Sequence, residues 1–286
     1  MKINKTAKDL WRPKRRIELL YQRSLRTIMK KIESKLKSLT KLEDILKVLK
    51  SFTKTKEFQQ HAEAAARKMV TSTFSDEGKA WRAAANANSK SRQIYEAMQN
   101  EMITTNLGVF LKEQTERNAK LITGIPKKVS EEITDYIARR TTEGRRAQDI
   151  SEELQSIYPK LLKNKADLIA RTEVSKTQSA ITQERSQRIG LNWYIWRTSD
   201  DSRVRSSHKH MEGVLINWND PPSPEVLNKP PIKSTLGKYN AGCCPNCRCY
   251  SEVLIKVNFL NWDKPRKVYY HGQIVRMTKK QFENIM

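Results

Sequence analysis

From Ile17 onward the apolar positions Leu20, Leu25, Ile28, Ile32, Leu36, Leu39, Leu42, Leu46 and Leu49 recur mostly at steps of three and four. That is the spacing of one helix face, and such a stripe reads as a packing seam rather than a membrane face. Thr40 and Glu43 have the spacing of a capping box, so a second helix is expected to restart there. Residues 62–70, 80–87 and 94–102 are alanine-rich or periodic and continue the helical texture. A helix over 107–122 is expected to bury Phe110, Leu111 and Leu121. Gly124-Ile125-Pro126 ends it, with Pro126 placed for the first turn of the next helix. Val129, Ile133 and Tyr136 mark one face of that helix, and Gly144 closes it. Ile150, Leu154 and Ile157 predict a short helix stopping before Pro159, followed by a longer one over 164–189 that ends at Gly190.

At Asn192 the texture changes. Asn192-Trp193-Tyr194-Ile195-Trp196-Arg197 is aromatic and β-branched, which favours a strand. Val214-Leu215-Ile216 and residues 251–257 are further strands. Residues 267–276, with His271-Gly272 between two β-rich runs, predict a hairpin. Residues 220–231 hold five of the ten prolines and read as a loop. The expected fold class is α+β: a mainly helical N-terminal part, then a small α+β module with a Cys/His-bearing loop. By segment this gives a basic arm and helices over 1–105, the module over 106–257 and a β-hairpin tail over 258–286.

Charge narrows the partners. The 286 residues carry 55 Lys or Arg against 31 Asp or Glu, a formal net charge of +24. So large a surplus favours a polyanionic partner: nucleic acid, an acidic membrane or an acidic protein surface. Solubility is the plain alternative. Residues 1–60 hold half of the surplus. Lys14, Arg15, Arg16, Arg23, Arg26, Lys30 and Lys31 are the candidate nucleic-acid contacts. Trp11, Tyr21, Phe52 and Phe58 are too sparse for base stacking, so attraction to the phosphate backbone is the expected mode. The first residues are followed by no apolar run, so no signal peptide is expected. No stretch approaches the roughly 20 apolar residues that span a bilayer.

All four cysteines lie in Cys243-Cys244-Pro245-Asn246-Cys247-Arg248-Cys249. A disulfide framework spreads cysteines along a chain, whereas a tight cluster suggests thiolate ligands. Cys244 and Cys247 have C-x-x-C spacing, and Cys249 adds a third thiolate. Zinc wants a fourth ligand, and His208 is the nearest candidate, with His210 and Cys243 as competitors. One structural zinc is thus a candidate cofactor; packed free thiols and a disulfide stay open beside it. Asp201, Arg203 and His208 follow the aromatic strand, and either chemistry or an ion-pair network bracing the loop would use them. Arg171 and Glu173 sit two apart in a helix and so do not share a face. Solvated charges are the simplest reading of that pair.

Four pieces in this order resemble the Mu F-like family of phage head morphogenesis proteins: Ala170-Arg171-Thr172-Glu173, the strand with Trp193 and Trp196, Asp201-x-Arg203 reaching His208, and Cys244-Pro245-Asn246-Cys247-Arg248-Cys249. Arg171, Glu173, Asp201, Arg203, Asn246 and Arg248 are its structural-motif residues here. The family usually has His where this chain has Cys244, an exchange that a zinc site tolerates but an acid–base role near neutral pH does not. The resemblance implies a minor capsid protein of a tailed bacteriophage, made in the host cytoplasm and resident in the virion interior. Its implied partners are the portal protein, phage genomic DNA and capsid or scaffold proteins, with no membrane. The implied roles are head assembly, DNA packaging or DNA delivery, and no established reaction comes with it. The chain is therefore expected not to be an enzyme. The alternative is a metal-dependent, HNH-like nuclease with His208, or else His210, as base, because the His-bearing loop and knuckle loosely resemble such sites.

Overall fold

The structure is a computed structural model and describes residues 10–86, positions 92, 94, 96 and 98, and residues 105–286. The start of the chain and most of the helix expected over 94–102 lie outside the described residues. The fold class is α+β, with helices first and a five-stranded sheet after them. The chain divides into two units, each discontinuous in sequence. One takes in Arg15–Ser72 and Gly108–Glu173; the other takes in Met1–Lys14, Thr73–Leu107 and Val174–Met286.

The first unit is helical. Helix α1 (Arg15–Leu36) buries Ile17, Tyr21, Leu25, Ile28, Ile32 and Leu36, and α2 (Leu42–Phe52) buries Ile45, Leu49 and Phe52. The seam therefore exists, but Leu20 is 49% exposed. It stands five residues from Leu25, off the face that Ile17, Tyr21 and Leu25 hold at steps of four. The Thr40–Glu43 capping box does not form. The cap of α2 is Lys41, in extended conformation and without a side-chain hydrogen bond. Thr40 instead accepts the Ser151 hydroxyl at its carbonyl, and Leu39 accepts Gln155 Nε2 at 2.9 Å.

Helix α3 (Lys56–Asn86) absorbs both alanine-rich runs, and α4 (Thr105–Thr123) follows. On α4 the buried positions are Leu107, Thr115, Asn118 and Ile122, while Phe110, Leu111 and Leu121 are half-buried. The inner face of α4 is thus more polar than its apolar residues suggest. Pro126 stands in the first turn of α5 (Ile125–Thr142), which packs against α2. Helix α6 (Ala147–Arg188) runs unbroken through Pro159, where two helices were expected. An internal proline costs a helix about 3 kcal/mol. Here Leu154, Tyr158, Leu162 and Ala166 form one buried stripe across it, which offsets that loss.

The second unit contains the sheet, ordered β3-β1-β2-β4-β5. Strand β1 (Trp193–Arg197) lies antiparallel to β2 (Leu215–Asn217) and to β3 (Tyr250–Val253). Strands β4 (Arg266–Tyr270) and β5 (Gln273–Met277) form the expected hairpin, turned by His271 and Gly272, both at positive φ. Leu215 pairs in parallel with Val268. The 258–286 segment supplies β4 and β5, which add to β2 at one end of the sheet. Short helices α7 (Ser206–Lys209), α8 (Pro224–Leu227) and α9 (Lys279–Glu283) complete the unit.

Alternation along β1 separates two cores. Trp193 and Ile195 join Leu215, Val268 and Phe282 on one face, and Tyr194 and Trp196 join Ile216, Trp218, Tyr239 and the cysteines on the other. Strand β3 is shorter than the expected 251–257 because the following apolar residues split between cores. Ile255 packs with Trp11 and Trp81, while Leu254 and Val257 pack with Trp193.

Candidate metal centre

His208 and the cysteine knuckle converge on the face of the sheet that carries Tyr194 and Trp196. Helix α7 is a single turn, and the His208 N–H closes it on the Arg205 carbonyl at 2.9 Å. The imidazole stands edge-on to Trp196, with centroids 5.6 Å apart, and is buried. Opposite it, the Cys247 N–H bonds the Cys244 carbonyl at 3.2 Å, making the turn that C-x-x-C spacing requires. Asn246 takes φ +58° in that turn, a conformation Asn adopts more readily than most residues. The Cys249 N–H then points at Cys247 Sγ from 3.3 Å. Gly242 stands just before the knuckle at φ +85°, where an added Cβ would lie 3.0 Å from the Cys249 carbonyl. The backbone there has room only for glycine.

Three donors converge closely enough to share one small ion. His208 Nδ1 lies 3.5 Å from Cys247 Sγ and 3.4 Å from Cys249 Sγ. The donor atoms of His208, Cys244 and Cys247 all lie within 4.8 Å of one another. For zinc, with Zn–S about 2.3 Å and Zn–N about 2.0 Å, adjacent tetrahedral N and S ligands stand ~3.5 Å apart. All four cysteines are free of disulfides, and Cys244, Cys247 and Cys249 are buried. His210 is half-buried and Cys243 partly exposed, and neither belongs to the cluster; Cys249 Sγ approaches His208 Nδ1 but stands outside the mutual set of three.

A hydrogen-bonded shell surrounds these donors. His208 Nε2 bonds the Tyr239 hydroxyl at 2.9 Å, and Tyr239 donates onward to both oxygens of Glu225, at 2.7 and 2.8 Å. Ser207 adds a donor to the same carboxylate at 3.2 Å. With its proton on Nε2, His208 turns Nδ1 toward the sulfurs, the arrangement that outer-shell partners impose on metal-bound histidines. Arg205 donates to Cys244 Sγ and, at 2.7 Å, to the Pro245 carbonyl. A cation beside a sulfur favours its thiolate form.

The electrostatics follow from this crowding. Burial opposes charge on His208, but its hydrogen bonds with Cys244 and Cys247 prevail and lift it to about 9. The Cys247 hydrogen bond and burial push the Cys244 thiol up to about 12. Burial and the Glu225 carboxylate drive Tyr239 far above its ordinary value, so it stays a donor. A divalent ion taken by this set displaces protons, and its affinity rises with pH.

The other motif residues brace the frame. Asp201 accepts the Arg203 backbone N–H at 2.9 Å and Arg203 Nη2 at 3.1 Å, and it faces Arg248 Nη1 at 3.6 Å. The backbone N–H of Arg203 and the two guanidiniums hold its carboxyl below the usual range. This is the ion-pair bracing weighed for that loop. In the helical unit, Glu173 is buried and pairs with Arg117 at 2.8 Å, and Arg171 faces Glu18 at 3.6 Å. The reading of Arg171 and Glu173 as solvated charges is therefore corrected; their partners sit on neighbouring helices.

Of the basic candidates, Arg15, Arg16, Arg23 and Lys30 are exposed and Lys14 is half-buried. Arg26 forms a fork with Asp167 at 2.7 and 2.6 Å, and Lys31 bonds Glu57 at 3.1 Å. Sequence reasoning missed Arg205, Tyr239 and Glu225. Arg205 lies inside the motif as an unmarked position, Glu225 comes from the proline-rich loop and Tyr239 from the irregular segment after it, where no spacing signals them.

The family model described as Phage Mu protein F like protein matches residues 131–252. That segment is Mu protein F-like. It contains Arg171, Glu173, Asp201, Arg203, His208 and the whole cysteine knuckle, while the β4–β5 hairpin of the same sheet lies outside it. A protein of Haemophilus influenzae, described only as uncharacterized, is 28% identical over 109 residues, 38% of this chain and 24% of that protein. The matched part thus spans about a quarter of the relative's length. No solved structure matches the chain. No helix among the described residues is long and apolar enough to cross a membrane.

Proposed function

We propose that this chain is a minor capsid, head-morphogenesis protein of a tailed bacteriophage. It acts inside the procapsid near the portal, in head assembly, DNA packaging or DNA delivery. One structural zinc, held by His208, Cys244, Cys247 and Cys249, fixes the knuckle against the sheet. The exposed cations of α1 contact DNA or an acidic portal surface, with Arg15, Arg16, Arg23 and Lys30 foremost. The observation carrying this reading is the Mu F-like match over the segment that supplies every clustered ligand. The state of His208 favours a structural role over a nuclease. It is 2% exposed, and both ring nitrogens are engaged, leaving neither free to activate water. Mass spectrometry of purified procapsids and virions, with cross-linking, tests the placement. Peptides of this chain joined to the portal protein are expected; their absence from both particles overturns it.

A further inference from the structure

Away from the knuckle, the sheet unit carries a concavity of about 450 Å³, lined by Lys264, Arg266, Lys267 and Arg276. Lys267 and Arg276 stand directly opposite each other across the β4–β5 hairpin. Like charges in that position weaken a ladder unless something neutralises them. Nothing within the described residues does so, because none of the four cations forms an ion pair. Lys267 Nζ donates to the His210 carbonyl at 3.3 Å, Arg276 Nη1 to the Pro265 carbonyl at 3.3 Å, and Arg266 Nη1 to the Asn261 carbonyl at 3.5 Å. The lining holds four cations against two acids, and neither acid pairs with any of the four. Glu212 holds Arg197 and Thr198, and Asp263 accepts Asn261 Nδ2 at 2.9 Å. Burial and then the nearby Arg197 pull the Arg266 guanidinium below its ordinary value against Glu252.

The lining also indicates what fits. Pro265 is its only apolar side chain. A protein partner needs an apolar patch to desolvate at the centre of its interface. A phosphate diester needs donors and positive charge alone, and arginine forks match its oxygens. We propose that this groove binds the phosphodiester backbone of nucleic acid, as a second site distinct from α1. It rests on the reading above only in taking DNA as a partner.

The test uses the full chain and labelled duplex DNA of mixed sequence, titrated between roughly 50 and 200 mM salt. The double variant Lys267→Gln/Arg276→Gln relieves the cross-strand repulsion, so its melting temperature is expected to hold. It should bind roughly tens of fold more weakly near 0.1 M salt, with a log–log salt slope shallower by about 1.8, two phosphate contacts' worth. Unchanged affinity and slope would overturn the proposal. A second variant, Arg15→Gln/Arg16→Gln/Arg23→Gln/Lys30→Gln, separates the sites. Residual DNA binding that the hairpin double variant then abolishes supports the groove even if α1 contributes nothing. Complete loss from the α1 variant alone overturns the groove while supporting α1 as the DNA contact. Poly-glutamate binding as tightly as DNA, and lost in the hairpin variant, would reassign the groove to an acidic protein.

Discussion

Tyr239→Phe removes one oxygen and leaves the ring that packs beside Trp196, with centroids 6.2 Å apart. That oxygen takes the His208 Nε2 bond at 2.9 Å and gives two short bonds to Glu225. Without it the buried carboxylate retains the Ser207 hydroxyl at 3.2 Å and faces His208 Nε2 at 3.7 Å. Hydrogen bonds to charged groups contribute about 1.5–3 kcal/mol. Part of this returns if the imidazole closes directly on Glu225, so we predict a net stability loss of about 1–2 kcal/mol. Outer-shell partners of a ligating histidine are worth about 10–100-fold in metal affinity. Chelator competition for zinc should show a loss of that size, with urea unfolding measuring stability in parallel. Glu225→Gln should weaken zinc in the same direction through the same chain. An unchanged zinc affinity alongside the expected loss of stability would refute the reasoning, because Tyr239 would then support only packing.

Three further outcomes follow from other parts of the chain. Glu77 is fully buried, and burial raises its carboxyl to about 7 against the lowering effects of the Thr182 hydrogen bond and Arg185. Its folded-state value lies above the unfolded one, so the native state holds this proton more tightly. Stability should fall as pH rises from about 4.5 through 7, by at most about 3 kcal/mol, and Glu77→Gln should remove that dependence in unfolding measured across pH. Gly242→Ala meets both a positive φ and the Cys249 carbonyl, and should cost about 1–3 kcal/mol in urea unfolding. Arg117→Ala takes from buried Glu173 a partner at 2.8 Å; Arg117 is 41% exposed, so the expected loss is about 1–2 kcal/mol, read as a lower melting temperature.

The sequence made some parts legible because the signals are local. The aromatic, β-branched run of β1, the His271-Gly272 turn, the Pro126 helix start and the C-x-x-C spacing each depend on a few adjacent residues. The convergence of His208 with Cys247 was legible through motif order, although nearly forty residues separate them. What escaped depended on tertiary context. Pro159 reads as a stop unless the stripe from Leu154 to Ala166 is known to be buried on both sides of it. Glu173 reads as solvated until Arg117, on another helix, supplies its counter-charge. Thr40 has the spacing of a cap, but Ser151 claims its carbonyl and the helix starts after Lys41. Tyr239 and Glu225 reach the site through an irregular loop that has no period to read.

The central claim is that residues near 208 and near 247 are fastened by one shared ion. Elemental analysis of the purified full chain, paired with thiol titration before and after chelation, tests it most directly. The account predicts one zinc per chain, with Cys244, Cys247 and Cys249 unreactive until the metal is removed and a lower melting temperature afterwards. Protein that contains no metal, takes up none when zinc is supplied, and melts at the same temperature with or without a chelator would contradict it.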